Sequence, residues 1–283
     1  MTVNNKKLRL LKYVGGKTRV LDQLYQYFPK HYTYIEPFGG SYVVLLNKIK
    51  SPIEAINDLD PGITALAYCY LFQREELELA VSNAISSQGL FEYFKDYEVD
   101  GNNMLELAMQ KLYLVYMSFS GNMKHIGVRV NEVKEPFPVT PEMIAGVHQR
   151  LKKVQIFSED YQQFLKRFLK TRKGFIYLDP PYVVSDSKQY YNHNFNTEMH
   201  IQLSDILHSF DPKRVKWLMS YDNHKLIEEL YTNDFINQLY VPYSFQAPHS
   251  FKVDGKEELL ISNYDIHSNY PRMSKTKDLR RMV

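Results

Sequence analysis

Apolar residues fall in two alternating patterns along the chain. Five short runs rich in β-branched and aromatic residues predict strands: YTYIE (Tyr32 to Glu36), EAIND (Glu54 to Asp58), VQIFSED (Val154 to Asp160), GFIYLDPPY (Gly174 to Tyr182) and VKWLMSY (Val215 to Tyr221). Between them the period lengthens. VVLLNKI starts a helix after a Pro-Phe-Gly-Gly turn, and from Ile63 to about Phe119 apolar residues return at helical spacing, with Leu105, Met109, Leu112, Tyr116 and Phe119 on one face. Thr140 and Pro141 supply a cap and a first-turn proline for a helix reaching about Lys153. YQQFLKRFLK, the segment with Met199, Leu203, Ile206, Leu207 and Phe210 on one face, and His224 to Tyr231 read as further helices. FINQLYVPYSF and EELLISNY read as a late antiparallel hairpin.

Strands alternating with helices predict an α/β fold whose Rossmann-like, mainly parallel sheet is covered on both faces. The helical stretch interrupts this alternation and reads as an insertion. The expected organisation is a discontinuous catalytic domain (1–62 and 151–270), a mainly helical domain (63–150) and a basic tail (271–283). Ligands of such sheets sit at the carboxyl ends of the strands.

Composition fits a soluble globular chain: 283 residues are 44% hydrophobic, broken throughout by charges, with no run long enough for a membrane span and no apolar core of a signal peptide. Cys69 is the single cysteine, which excludes an intrachain disulfide and a thiolate metal cluster, and the expected location is the cytoplasm. The nine histidines show no paired metal-ligand spacing, so no metal is expected. Formal charge is only +3, yet basic residues cluster at Lys6 to Arg19, at Lys166 to Lys173 and after Pro271. Such patches suit a polyanion; a solvated helix face and a tail account for the last two equally well.

KYVGGKTR, Lys12 to Arg19, is a weak match to a phosphate loop, because Leu11 stands where a further glycine is needed and no buried strand precedes it. DPPY, Asp179 to Tyr182, is far more specific, since it directly follows the apolar strand FIYL. An exocyclic amine on an aromatic ring is a poor nucleophile while its lone pair is delocalised. A carboxylate and a backbone carbonyl that accept its two N–H bonds favour a tetrahedral nitrogen with the lone pair freed. Asp179 supplies the carboxylate and Pro180 the carbonyl; Pro180 and Pro181 stiffen the turn, and Tyr182 offers a π-face to a base. In IEPFGGS, the Gly39–Gly40 pair lets backbone approach a ligand, and Asp58 after the next strand is either an acceptor for ribose hydroxyls or a turn-forming aspartate.

The order LKYVGGK, IEPFGGS, helical insertion, DPPY resembles the Dam-like family of DNA adenine methyltransferases, over nearly the whole chain to about Tyr264; SYDNHKLIEELY and EELLISNY match its late segments. The resemblance implies a methyltransferase sheet, S-adenosylmethionine as cofactor, and methyl transfer to an adenine flipped out of double-stranded DNA, as in restriction–modification systems. It implies that Tyr13 and Lys17 lie near the methionine end of the cofactor, that Phe38, Gly39 and Gly40 line it, that Asp58 holds the ribose, and that Asp160 lies near the adenine ring with Asp179 at the methyl group. Ser41 and Tyr42 stand where members often have small residues. FSGNMKHIGVRVN resembles the family's DNA-reading pattern, which makes Asn122, Arg129 and Asn131 candidate DNA contacts. A monomer is the working expectation. Two other readings are an RNA adenine methyltransferase and an idle DNA-binding module; the position of the insertion argues against the first, and retention of both GGK and DPPY against the second.

Overall fold

The computed structural model describes residues 7–12, 16–118, 121, 123–127, 139–183, 195–242 and 255–268. All the predicted strands form: β1 (Thr33–Glu36), β2 (Ile53–Asn57), β3 (Gln155–Phe157), β4 (Gly174–Leu178), β5 (Val215–Asp222), β6 (Phe235–Pro242) and β7 (Gly255–Ser262). They make one sheet in the order β3-β2-β1-β4-β5-β7-β6. The first five pair in parallel, and β7 runs antiparallel to β5 and β6.

Side-chain alternation explains why the sheet is covered twice. In β4, Phe175 and Tyr177 join the apolar cluster on one face, while Ile176 and Leu178 join the cluster on the other. The first face is covered by α1 (Leu21–Gln26), α2 (Val43–Asn47), α3 (Pro61–Phe72), α6 (Met104–Met117) and α7 (Pro141–Leu151). The second is covered by α8 (Tyr161–Lys166), α9 (Thr197–His208) and α10 (Lys225–Leu230). The remaining helices, α4 (Arg74–Ser82) and α5 (Gln88–Asp96), lie between α3 and α6 in sequence.

The long helical stretch is therefore divided, and polar caps mark the divisions. The side chains of Asp60, Ser87 and Asn103 accept backbone N–H groups at the starts of α3, α5 and α6. Ile63 and Leu66 of α3 and Ile144 and Val147 of α7 share one cluster with Tyr34, Ile56 and Phe175 of the sheet. Helix α8 stops four residues short of the predicted YQQFLKRFLK. After Lys166 the chain tightens into three-residue turns, with N–H bonds from Arg167 to Phe164 O, Phe168 to Leu165 O and Thr171 to Phe168 O. Among the described residues no helix is long and apolar enough to cross a membrane.

The polar-looking segment before the GGK motif is not a strand, yet Leu10 and Leu11 are fully buried. Asn47 pins this segment to α2 by accepting from Leu8 N (2.8 Å) and donating to Leu8 O (2.7 Å). Leu10 N also donates to Ser41 O (2.9 Å), which brings the GGK segment up against the loop after β1.

Candidate active site

β1 and β4 are neighbours, but the chain leaves β1 toward β2 on one side while β4 is followed by β5 on the other. Loops leaving a parallel sheet at such a switch point diverge and open a crevice between them. The two loops here are Pro37–Gly40 and Asp179–Tyr182.

In the first loop, Gly39 N donates to Asn57 O (2.9 Å) and Gly40 N donates to Asp58 Oδ2 (2.6 Å). A Cβ on Gly39 would come within 2.6 Å of the Tyr42 ring and 2.9 Å of the Ile56 side chain, so only glycine fits. Gly40 has φ of 51°, in the left-handed region, and a Cβ there would meet nothing within 4 Å, so this stretch of backbone is open to a ligand. Asp58 also accepts from Asp60 N (2.9 Å), and burial raises its pKa to about 6. Its carboxylate thus ties the Gly40 backbone to the start of α3, while each oxygen keeps a further lone pair.

In the second loop, three donors converge on one oxygen. Asp179 Oδ1 accepts from Lys17 Nζ at 2.7 Å, from Ser220 Oγ at 3.1 Å and from Tyr182 OH at 3.2 Å, whereas its Oδ2 takes no hydrogen bond from a described residue. Lys17 is buried, also donates to Tyr182 OH (2.8 Å), and lies 3.4 Å from Glu258 Oε2. Burial raises the Glu258 pKa, the Lys17 ammonium opposes that shift, and Asp179 adds to it. Burial, followed by Asp179 and Glu258, pushes the Tyr182 phenol well above its usual range, so it stays protonated and donates. The Tyr182 ring is stacked on Tyr221 at 5.3 Å and 29°.

An aromatic wall connects the two loops. Phe38 packs on Tyr161 (5.4 Å) and against Phe195 (5.8 Å), and Phe195 meets the edge of His200 (4.7 Å). Asp160 uses Oδ1 to cap α8 through Gln162 N (2.9 Å). Glu36, just before the first loop, is buried and accepts from Tyr34 OH at 2.7 Å.

Lys17, Phe38, Gly39, Gly40, Asp58, Asp160, Asp179, Pro180, Pro181 and Tyr182 are thus distributed over the short 3-10 helix Lys17–Arg19 and the loops that follow β1, β2, β3 and β4. Lys17 touches the DPPY carboxylate directly. Tyr13, Asn122, Arg129 and Asn131 lie outside the described residues. Sequence reasoning missed Ser220, Tyr221, His200, Glu258 and Asn57. Asn57 stitches three loops, donating to Pro37 O (3.1 Å) and Glu159 O (2.9 Å) while accepting from Glu159 N (2.9 Å). Ser220 and Tyr221 had a readable signal, because they end the strand beside β4. Glu258 had one too, as the acid directly before the apolar run Leu259 to Ile261 of the strand. His200 had none, since its partner is distant in sequence. Among the described residues no group of acids, histidines and cysteine is arranged to hold a metal.

The chain resembles DNA-modifying enzymes from several organisms. It is 25% identical to the type II methyltransferase M.MjaIII of Methanocaldococcus jannaschii, over 90% of this chain and 98% of that one. It is 23% identical to the DNA adenine methylase of Escherichia coli K12, over 80% of this chain and 84% of the relative. The modification methylase StsI of Streptococcus sanguinis is 24% identical over 90% of this chain, which spans only 42% of that longer protein. The family model for D12 class N6 adenine-specific DNA methyltransferases matches residues 13–244, most of the chain and both loops of the crevice. Membership implies S-adenosylmethionine as the cofactor, and the open Gly40 backbone, the aromatic wall and the acceptor at Asp58 fit such a molecule. The chain belongs to the D12 class of N6 adenine-specific DNA methyltransferases.

Proposed function

We propose that Asp179 receives the exocyclic amine of the target adenine through Oδ2, while the Pro180 carbonyl accepts the second N–H. The observation that carries this reading is the crowding of three donors on Oδ1, which leaves Oδ2 as the oxygen with capacity for another. Ser220 and Tyr182 fix the carboxylate's rotation, so the amine meets a pre-oriented acceptor. The Tyr182 ring, backed on one side by Tyr221, stacks on the extruded base with its other face.

S-adenosylmethionine supplies a methyl group already activated by the sulfonium charge. In this reading Gly39 and Gly40 let the backbone come close to the cofactor, Phe38 packs along it, Asp58 accepts from its ribose and Asp160 lies near its adenine. Lys17 and Tyr13 face its methionine end. Lys17 is also the ammonium paired with Asp179 through Oδ1, a contact that the amine on Oδ2 leaves in place. The names of the relatives favour a modification-type enzyme acting on DNA; in this reading the substrate is double-stranded and the enzyme acts as a monomer. The helices and loops of residues 63–150 would read the target sequence, with Asn122, Arg129 and Asn131 as the DNA contacts.

The test is Asp179→Ala. It should abolish methyl transfer in single turnover while leaving duplex affinity, followed by fluorescence anisotropy, within about twofold, because phosphate contacts supply most of that affinity. Transfer near the wild-type rate would overturn the assignment. Asp58→Ala should weaken S-adenosylmethionine binding by roughly 1–3 kcal/mol in calorimetry, the scale of a hydrogen bond to a charged group; unchanged affinity would mean that another residue holds the ribose.

A further inference from the structure

We infer that Tyr221 and His200 are positioning residues for the DPPY loop: the Tyr221 hydroxyl clamps the Pro181 carbonyl, and His200 fixes the direction in which that hydroxyl points. This inference rests on reading Asp179 to Tyr182 as the methyl-transfer site.

The geometry sets the polarity of the relay. Tyr221 OH lies 3.0 Å from Pro181 O and 2.6 Å from His200 Nδ1. A carbonyl only accepts, so the single phenolic proton goes to Pro181 O. His200 Nδ1 must then carry a hydrogen and donate it to the Tyr221 oxygen. That leaves Nε2 as a bare lone pair, and Nε2 is buried without a hydrogen-bond partner among the described residues. The reverse polarity would leave Pro181 O without this donor and an Nε2–H buried with no acceptor, two unmet groups instead of one. Burial and the nearby His224 lower the His200 pKa to about 4, so the ring stays neutral and in one tautomer near neutral pH.

The clamp acts on the loop's softest torsion. Both prolines have φ fixed by their rings, and neither has an N–H through which the loop could be tied down. The torsion that sets Tyr182 relative to the Pro180 carbonyl is ψ of Pro181. A hydrogen bond to the Pro181 oxygen holds that torsion directly. The same Tyr221 supports the Tyr182 ring from behind, so one side chain holds both the peptide group that carries Tyr182 and the ring that serves as stacking platform. His200 is buried on α9 and is itself held against Phe195 of the aromatic wall.

The test is a mutant cycle on the full chain, read by single-turnover methyl transfer and by S-adenosylmethionine affinity in calorimetry. Tyr221→Phe keeps the ring and loses the clamp; its rate should fall about tenfold, the worth of one well-made hydrogen bond, with cofactor affinity held within about twofold. His200→Leu should slow transfer by roughly threefold or more, whereas His200→Asn, whose amide N–H can stand in for Nδ1–H, should stay within about twofold of wild type. Because His200 acts only through the Tyr221 hydroxyl, the double variant Tyr221→Phe with His200→Leu should be no slower than Tyr221→Phe alone. Wild-type rate in Tyr221→Phe, additive losses in the double variant, equal losses in the two His200 variants, or a parallel loss of cofactor affinity would each overturn the relay. Asp179→Ala is measured alongside. If it too transfers at the wild-type rate, the error lies in the reading of the site, whereas a dead Asp179→Ala beside a fully active Tyr221→Phe rejects the relay alone.

Discussion

Glu36 shows how a single buried acid can record the pressure of the site around it. Burial raises its pKa from 4.5 to about 8, the Tyr34 hydroxyl bond and Lys48 oppose the shift, and Asp179 adds to it. The folded protein therefore keeps a proton that the unfolded chain releases above about 4.5, so this group costs stability as pH rises from about 4.5 toward 8. Glu36→Gln keeps an acceptor for Tyr34 and removes the charge. Urea unfolding should show the variant gaining on wild type by on the order of a few kcal/mol at pH 8, with the gain shrinking toward pH 5. A constant difference across that range would mean that Glu36 is not the titrating group. At this scale the sequence was readable where chemistry coincides with a motif: DPPY named Asp179, and GGK named Lys17. It was unreadable where a residue matters through a distant partner. His200 and Tyr221 are on different elements, and only the fold brings Nδ1 within 2.6 Å of the phenol.

The loop after β1 is the element on which the cofactor reading depends most. Of Ser41 and Tyr42, which stand where the family often has small residues, Tyr42 has a structural reason: it is fully buried with its ring under Gly39. Ser41 receives Leu10 N through its backbone carbonyl, a bond that any residue there could make. Tyr42 adopts φ of 58°, a strained conformation for a bulky residue, just before α2. Gly39→Ala would force its methyl into that ring, and we expect a loss of roughly 1–3 kcal/mol in thermal or chemical unfolding, with weaker cofactor binding. Gly40→Ala meets open space and carries only left-handed strain, about 1–2 kcal/mol. If the two variants were equally mild, the loop would have room that this packing denies it. Strand and helix positions were largely legible, because alternating and helical periods survive in the sequence. Helix α1 was not anticipated, although Val20, Leu21 and Leu24 are all buried and stand at helical spacing. The polar residues Lys17, Thr18 and Arg19 directly before them, and the shortness of the helix, leave too few turns for the period to show.

For the whole molecule, the fold places the second basic cluster, which the sequence could only count, at the end of the sheet opposite Asp179. Lys170, Arg172 and Lys173 lead into the amino end of β4, while Asp179 follows its carboxyl end, about 3.3 Å per residue away along a five-residue strand. Arg167 of the same cluster is occupied by Glu159 at 2.6 and 2.8 Å. Neutralising Lys170, Arg172 and Lys173 together should therefore leave duplex affinity and its salt dependence unchanged. A fall in the logarithmic salt slope by about two to three would show that DNA reaches this end as well. Lys17 in the first cluster is likewise occupied, by Asp179.

In the proposed mechanism this crevice moves a methyl group to the N6 of adenine in duplex DNA by way of Asp179. The most direct measurement supplies methyl-labelled S-adenosylmethionine with equal amounts of mixed-sequence duplex DNA and double-stranded RNA, digests both to nucleosides, and locates the label by mass spectrometry for wild type and Asp179→Ala. We predict label in N6-methyldeoxyadenosine alone with the wild-type protein and only background with the variant. Label in any other nucleoside, or in N6-methyldeoxyadenosine at wild-type level with the variant, would contradict it.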